Sequence, residues 1–307
     1  MTNERVVQNH QSFSLPHHQT FSFSRIAAIT GNTLTDLSRQ KVFNFLMIFA
    51  LLVIGFSVVM ARLSFQQEFQ ILKDVSLGAI SIFTSILAIV ATARLISQDL
   101  EDRTIYTILA KPVPRIEYLI GKLAGVLSLL AIATVAMSLL GLIVIYTREQ
   151  SVLHETARQL GAAPPEQLQS ALQAVRASAI SFDLLPAIAL IYCKACLLAA
   201  LALLVSTFAS TNIFTIVVMV FVYFIGHLQA TARQYWLHEH ASGWLTQLFL
   251  AAVALVFPDL QAFNIVDDVV VGTAIPLALF GKTLIMGVFY FVVYTALAAV
   301  VFYGKEL

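Results

Sequence analysis

The stretch ISQDLEDRTIYTILAKPVPRIEYLIGK, residues 96–122, stands between two long apolar runs, SLGAISIFTSILAIVATARL (76–95) and LAGVLSLLAIATVAMSLLGLIVIY (123–146). Each run has the ~20 residues a helix needs to cross the hydrocarbon core of a bilayer. The segment between them opens on an acidic cluster, Asp99, Glu101 and Asp102, and breaks at Pro112 and Pro114. It restarts through Arg115 and Glu117 into Gly121-Lys122. Leu100, Thr104, Ile108 and Lys111 share one helical face, with Ile105 and Leu109 beside them. A solvated loop has no use for apolar residues at that spacing, whereas a short helix seated in a partner's groove uses both faces. The spacing predicts a short docking helix at the membrane surface, something for another protein to push on.

The rest of the chain reads as membrane around this segment. Hydrophobic residues make up 59% and charged residues 11%, against about 25% charged in an ordinary soluble domain. A net charge of +1 gives no reason to expect nucleic-acid binding. Six spans are predicted, at about 42–60, 75–96, 121–146, 184–208, 212–229 and 278–303. A further apolar run, 245–258, is short for a span and ends at Pro258, so it is expected to be re-entrant or interfacial. The fold class is therefore all-α integral membrane. Residues 1–21 are expected to form a flexible cytosolic tail, residues 22–41 an amphipathic interfacial helix, and 42–307 the six-span domain. The first 24 residues lack an apolar core, so the first span is expected to serve as its own insertion signal.

Basic residues set the orientation. Placing both termini in the cytosol puts ten Lys and Arg there, among them Arg25, Lys41, Arg94, Arg103, Lys111 and Lys122. The longer outside loops, 147–183 and 230–277, hold fewer, which favours cytosolic termini. Residues 22–41 interleave Ile26, Ile29, Leu34 and Leu37 with Arg25, Asp36 and Arg39. That pattern predicts a helix along the inner membrane surface, with an interruption allowed at Gly31-Asn32. The loop 147–183 is expected to carry two short amphipathic helices split around Gly161 and Pro165.

Several residues invite chemistry. Cys193 and Cys196 form C-x-x-C inside an apolar helix, where small-residue packing explains them better than metal or redox work. His238, Glu239 and His240 are not spaced as a zinc motif, and interfacial residues beside Trp236 and Trp244 are the simpler reading. Gly281-Lys282-Thr283 lacks the leading Gly of a phosphate loop, because Pro276 stands in its place. No nucleotide site, metal or cofactor is expected, and the chain does not read as an enzyme. Lys194 lies about ten residues into the fourth span, where an unpaired charge costs several kcal/mol. It must pair, face water or protein, or be neutral.

Taken together, NTLTDLSRQKVFNFL, DVSLGAI, ISQDLEDRTIYTILAKPVPRIEYLIGKLAG, STFASTNIFTIVVMVFVYFIGHL, FPDLQAFNIVDD and the terminal FYGKEL resemble permeases of the type-2 ABC exporter class. Within it the chain is most similar to the branch that includes the permease of nitrous-oxide-reductase copper-site maturation. The resemblance covers residues 22–307 and is most specific in the segment 97–120. It implies a six-span permease in a bacterial inner membrane, paired with a second copy or a sister permease around a central path. Two separate ATP-binding cassette ATPase subunits would dock underneath. On that reading Glu101, Asp102 and Arg103 supply polar contacts to the ATPase, and Ile105, Tyr106 and Leu109 supply packing contacts. Lys194 then either holds a structural hydrogen bond or lines the translocation path. The alternative is a non-transporting mechanical subunit that passes the ATPase stroke to an outside partner through loops 147–183 and 230–277.

Overall fold

Apolar runs of twenty or more residues become helices because each backbone N–H and C=O finds its partner within the run. The computed structural model describes residues 22–62, 67–101, 114–161, 164–179, 182–209, 211–239, 248, 257–271 and 275–304. At 96–101, 230–239, 267–268 and 271 it describes the backbone alone. Among the described residues every regular element is helical. In chain order these are α1 (Phe23–Ser38), α2 (Lys41–Arg62), α3 (Glu68–Glu101), α4 (Arg115–Gln159), α5 (Pro165–Ala179), α6 (Leu184–Phe208) and α7 (Asn212–Glu239). A 3-10 turn at Gln261–Phe263, the short α8 (Val266–Val271) and α9 (Leu277–Gly304) follow. Six helices are long and apolar enough to cross a membrane, as the sequence predicts.

Packing sorts these six into two sets. α3, α4 and α6 form the interior, and α3 touches α2, α4, α6, α7 and α8. α2, α7 and α9 stand outside them and keep large apolar side chains exposed, including Phe45 and Leu52 on α2, Phe221 on α7 and Ile285 on α9. In water such faces would be an aggregation hazard, whereas in a bilayer they meet acyl chains at no cost. α1, the start of α4 and the end of α9 share one end of the bundle, called here the terminal face. The opposite end is the loop face.

The helices depart from the sequence reading in two places. α4 does not stop at residue 146 but continues to Gln159. Its 45 residues make a rod of about 68 Å at 1.5 Å per residue, roughly twice the hydrocarbon thickness. The first of the two expected loop helices is thus the end of α4, since TREQSVLHETARQ holds no Gly or Pro to stop it. Arg148 fixes this extension to α3 by pairing with Glu68 at 2.7 Å. α5 then folds back against it, starting at Pro165 with Glu166 in its first turn. The second departure is α1, which runs unbroken through Gly31-Asn32.

Ahead of α9 the chain turns into the bundle. Leu260 N–H donates to the Gly226 carbonyl at 3.0 Å, about fourteen residues into α7. A Cβ on Gly226 would stand 2.7 Å from Leu260, so only glycine admits this approach. Phe263 similarly lies against Gly287 of α9, where an added Cβ would meet its ring at 2.9 Å. Asp259 Oδ1 accepts from the N–H groups of Gln261 and Ala262 and shapes the turn between these contacts. Residues 257–263 therefore turn inward against α7 and α9, at the end of the apolar run 245–258. The run 245–256 lies outside the described residues, apart from helical Leu248.

Candidate coupling site on the terminal face

Pro114 fixes the start of α4, and its first turn carries Arg115 and Glu117. A carboxylate at that position complements the positive helix end. Here it does more: Glu117 is 1% exposed and accepts hydrogen bonds from Arg25 Nε at 2.8 Å, Arg25 Nη2 at 3.0 Å and the Ser22 N–H at 3.0 Å. The two guanidinium bonds make a bidentate fork, the strong form of this pair. Glu117 lies in the first turn of α4, ahead of the apolar stretch that begins at Leu123. The hydrogen bonds from Arg25 hold its carboxyl below the usual carboxylate range, against the opposite pull of burial.

One and two turns of α4 beyond this pair, Gly121 and Gly125 receive the face of α1. A Cβ on Gly121 would stand 2.9 Å from Ile29 Cβ, and one on Gly125 would stand 2.6 Å from Thr33 Cβ. Thr30 Oγ1 donates to the Gly121 carbonyl at 3.2 Å. This is small-x-x-x-small packing, in which two helices approach until backbone meets side-chain root. The apolar edge of this surface helix is turned on α4, and Thr33 and Leu37 are buried there. Arg25 is the partner of Glu117.

The same face ties in α3 and α9. Arg94 of α3 donates to Gln40 Oε1 at 3.3 Å, between α1 and α2. Arg115 donates to the Tyr303 carbonyl at 3.1 Å, and Tyr118 stacks on Phe302 with ring centres 6.2 Å apart. Lys122 sits 5.6 Å over the Tyr118 ring. Four helices thus converge where α3 delivers the chain at Glu101 and α4 takes it up at Arg115. The side chain of Glu101, and Asp102, Arg103, Ile105, Tyr106 and Leu109, lie outside the described residues.

Lys194 is 1% exposed and donates to Ser81 Oγ of α3 at 2.6 Å. Its partner is a hydroxyl on the neighbouring core helix. The adjacent cysteines are both free. Cys193 Sγ would be 2.6 Å from a Cβ on Gly287, so it fills the α6–α9 contact. Gly281-Lys282-Thr283 lies inside the continuous helix α9, with no loop to cradle a phosphate. Among the described residues no three His, Cys, Asp or Glu side chains come together as a metal site would require.

The clamp of α1 on α4 escapes a reading based on hydropathy alone, although Gly121-x-x-x-Gly125 opening an apolar helix is the signal that points to it. No curated protein gives a significant match to the chain. Residues 48–307 match the family model described as ABC-2 family transporter protein. With that match over most of its length, and six membrane-crossing helices around a braced terminal face, the chain belongs to the ABC-2 family of transporter proteins.

Proposed function

We propose that this multi-pass ABC transporter permease, of a family whose members work with an ATP-binding subunit, is the permease of an exporter, driven by two copies of a separate ATPase that dock on the segment 97–120. Both termini are cytosolic and the membrane is a bacterial inner membrane. A second permease copy, identical or a sister chain, completes the path. The observation that carries this reading is the bracing around the segment: α1, α3, α4 and α9 are tied together where it leaves and re-enters the bundle. A push there moves α4 as one rod, since that helix is unbroken from Arg115 to Gln159. Rocking it against α6 would switch access from one side to the other.

Lys194 is the path residue in this proposal. It is sealed between α3 and α6, so it meets cargo only when these two helices part. The finer likeness to the nitrous-oxide-reductase maturation branch rests on the coupling motif quoted above, and the family match is broader than that branch. The mechanical alternative has one observation in its favour. α4 and α5 make a helical hairpin past the loop face, with a polar exposed surface on which an outside protein could pull.

A photo-crosslinking residue at Ile105 or Leu109, in the full chain in its native membrane, tests the docking directly. Capture of a polypeptide with an ATP-binding cassette, and no such capture from Leu153 on the loop face, is the expected result. Capture from both positions or neither contradicts it.

A further inference from the structure

His227 of α7 stands where the inward turn 257–263 seats on that helix. It is half-buried, near the loop-face end of the apolar stretch Asn212–Gln229. The residue before it, Gly226, takes the Leu260 N–H on its carbonyl. A Cβ on Gly226 would meet Leu260 at 2.7 Å and the Pro258 carbonyl at 3.1 Å, so turn and helix touch along their backbones. Leu260 and Phe263 are buried behind this contact.

The imidazole is held by its own helix. Its Nδ1 lies 2.9 Å from the Tyr223 carbonyl, and its ring centre is 4.2 Å from that of Tyr223. A carbonyl only accepts, so Nδ1 carries the hydrogen and the neutral ring keeps a lone pair on Nε2. A second proton must go to Nε2, and the N–H so formed has no acceptor among the described residues.

The groups around the ring come from each element packed there. Lys194 of α6 and Asp259 of the turn are the charges that act on it. α3 brings the neutral hydroxyl of Ser85 beside that of Tyr223. α9 brings Tyr290, on which the Asp259 charge also acts. Lys194 repels a charged ring and Asp259 attracts one. The Asp259 carboxylate, however, already accepts the N–H groups of Gln261 and Ala262 that shape the turn. Charging His227 would thus set a second cation near Lys194, with an unanswered N–H, under a turn packed at backbone contact.

We propose that His227 is a proton-operated latch, holding the turn 257–263 on α7 while neutral and releasing it once protonated. Its hold is complete above the ordinary imidazole value of about 6.5 and is lost as pH falls below it. Phe263 of the same turn lies against Gly287, so release loosens α9 as well. With the termini cytosolic, the reading proposed above, the latch senses acidity on the outer side. Its action on the turn does not depend on that orientation.

The test is hydrogen exchange of the purified full chain in neutral detergent between about pH 8 and pH 5. Protection of the amides of 257–263, relative to their intrinsic rate at each pH, should fall several-fold in acid while the core helices α3 and α6 keep theirs. In His227→Asn, whose amide can still donate to the Tyr223 carbonyl and takes no charge, protection should not change with pH. If that variant fails to fold, Lys194→Met carries the comparison and should lessen the fall, because the repelling cation is gone. Flat protection in the wild type would overturn the proposal, as would protection that rises in acid because Asp259 draws the charged ring. So would a fall as deep as that of the wild type in His227→Asn or, in the second comparison, in Lys194→Met. A fall shared equally by α3 and α6 would also overturn it, since the release would not be local.

Discussion

Lys194 and Glu117 are two buried ionisable groups with opposite arrangements. Among the described residues Lys194 reaches a neutral hydroxyl and no carboxylate. Glu117 is closed on three sides by donors from Arg25 and Ser22. Lys194→Met replaces a poorly compensated charge by an apolar chain of similar length. Its stability should stay within about 1.5 kcal/mol of wild type, while Lys194→Ala, which leaves a cavity, should cost about 2–5 kcal/mol. A path residue must do more than pack, so Lys194→Met should lower the ATPase rate of the assembled complex without lowering the melting midpoint. An unchanged rate would leave Lys194 with a structural role alone. For Glu117 the folded carboxyl is held below its ordinary value of about 4.3. Its contribution is therefore complete above that value and is lost as pH falls through the lowered folded value. Protection of the amides of residues 23–38 against hydrogen exchange, relative to their intrinsic exchange rate at each pH, should be flat between about pH 6 and 8 and fall only in acid. In Glu117→Gln it should be lowered throughout. A release of α1 centred near neutrality would contradict the pairing.

At the scale of elements, the decisive contact is α1 on α4. Gly125→Val places a branched side chain where even a Cβ would lie 2.6 Å from Thr33. Overpacking of this kind costs about 1–3 kcal/mol. The helix should lift from α4, seen as faster exchange over 23–38 with the core helices unchanged. The six spans were readable because hydropathy over twenty residues is a strong signal, and 184–208 is met end to end. The extension of α4 was not, since past Tyr146 the apolar signal fades while the helix-forming residues continue. The destination of α1 was hidden for a different reason. An amphipathic face shows that it will be buried and not against what, and the answer depends on two glycines and a glutamate some 90 residues away. Ser81 as the partner of Lys194 carries no charge, so nothing in the sequence singles it out.

Across the whole molecule, the interior trio α3, α4 and α6 connects the terminal face to the loop face, and α2, α7 and α9 present apolar surface outward. The α4–α5 hairpin is the part that separates the two functional readings. Removing residues 165–179 should leave ATPase association and coupled turnover intact in an exporter. It should abolish output with assembly unharmed in a mechanical subunit. The central claim is that a separate ATPase pushes on the segment between α3 and α4. It is tested most directly by purifying a tagged full chain from its native membrane in mild detergent and identifying its stoichiometric companions. An ATP-binding cassette subunit that comes with the wild type and is lost in Glu101→Lys and Arg103→Glu, with folding intact, is the result this account requires. A folded chain that arrives alone, under conditions that keep other membrane complexes together, would contradict it.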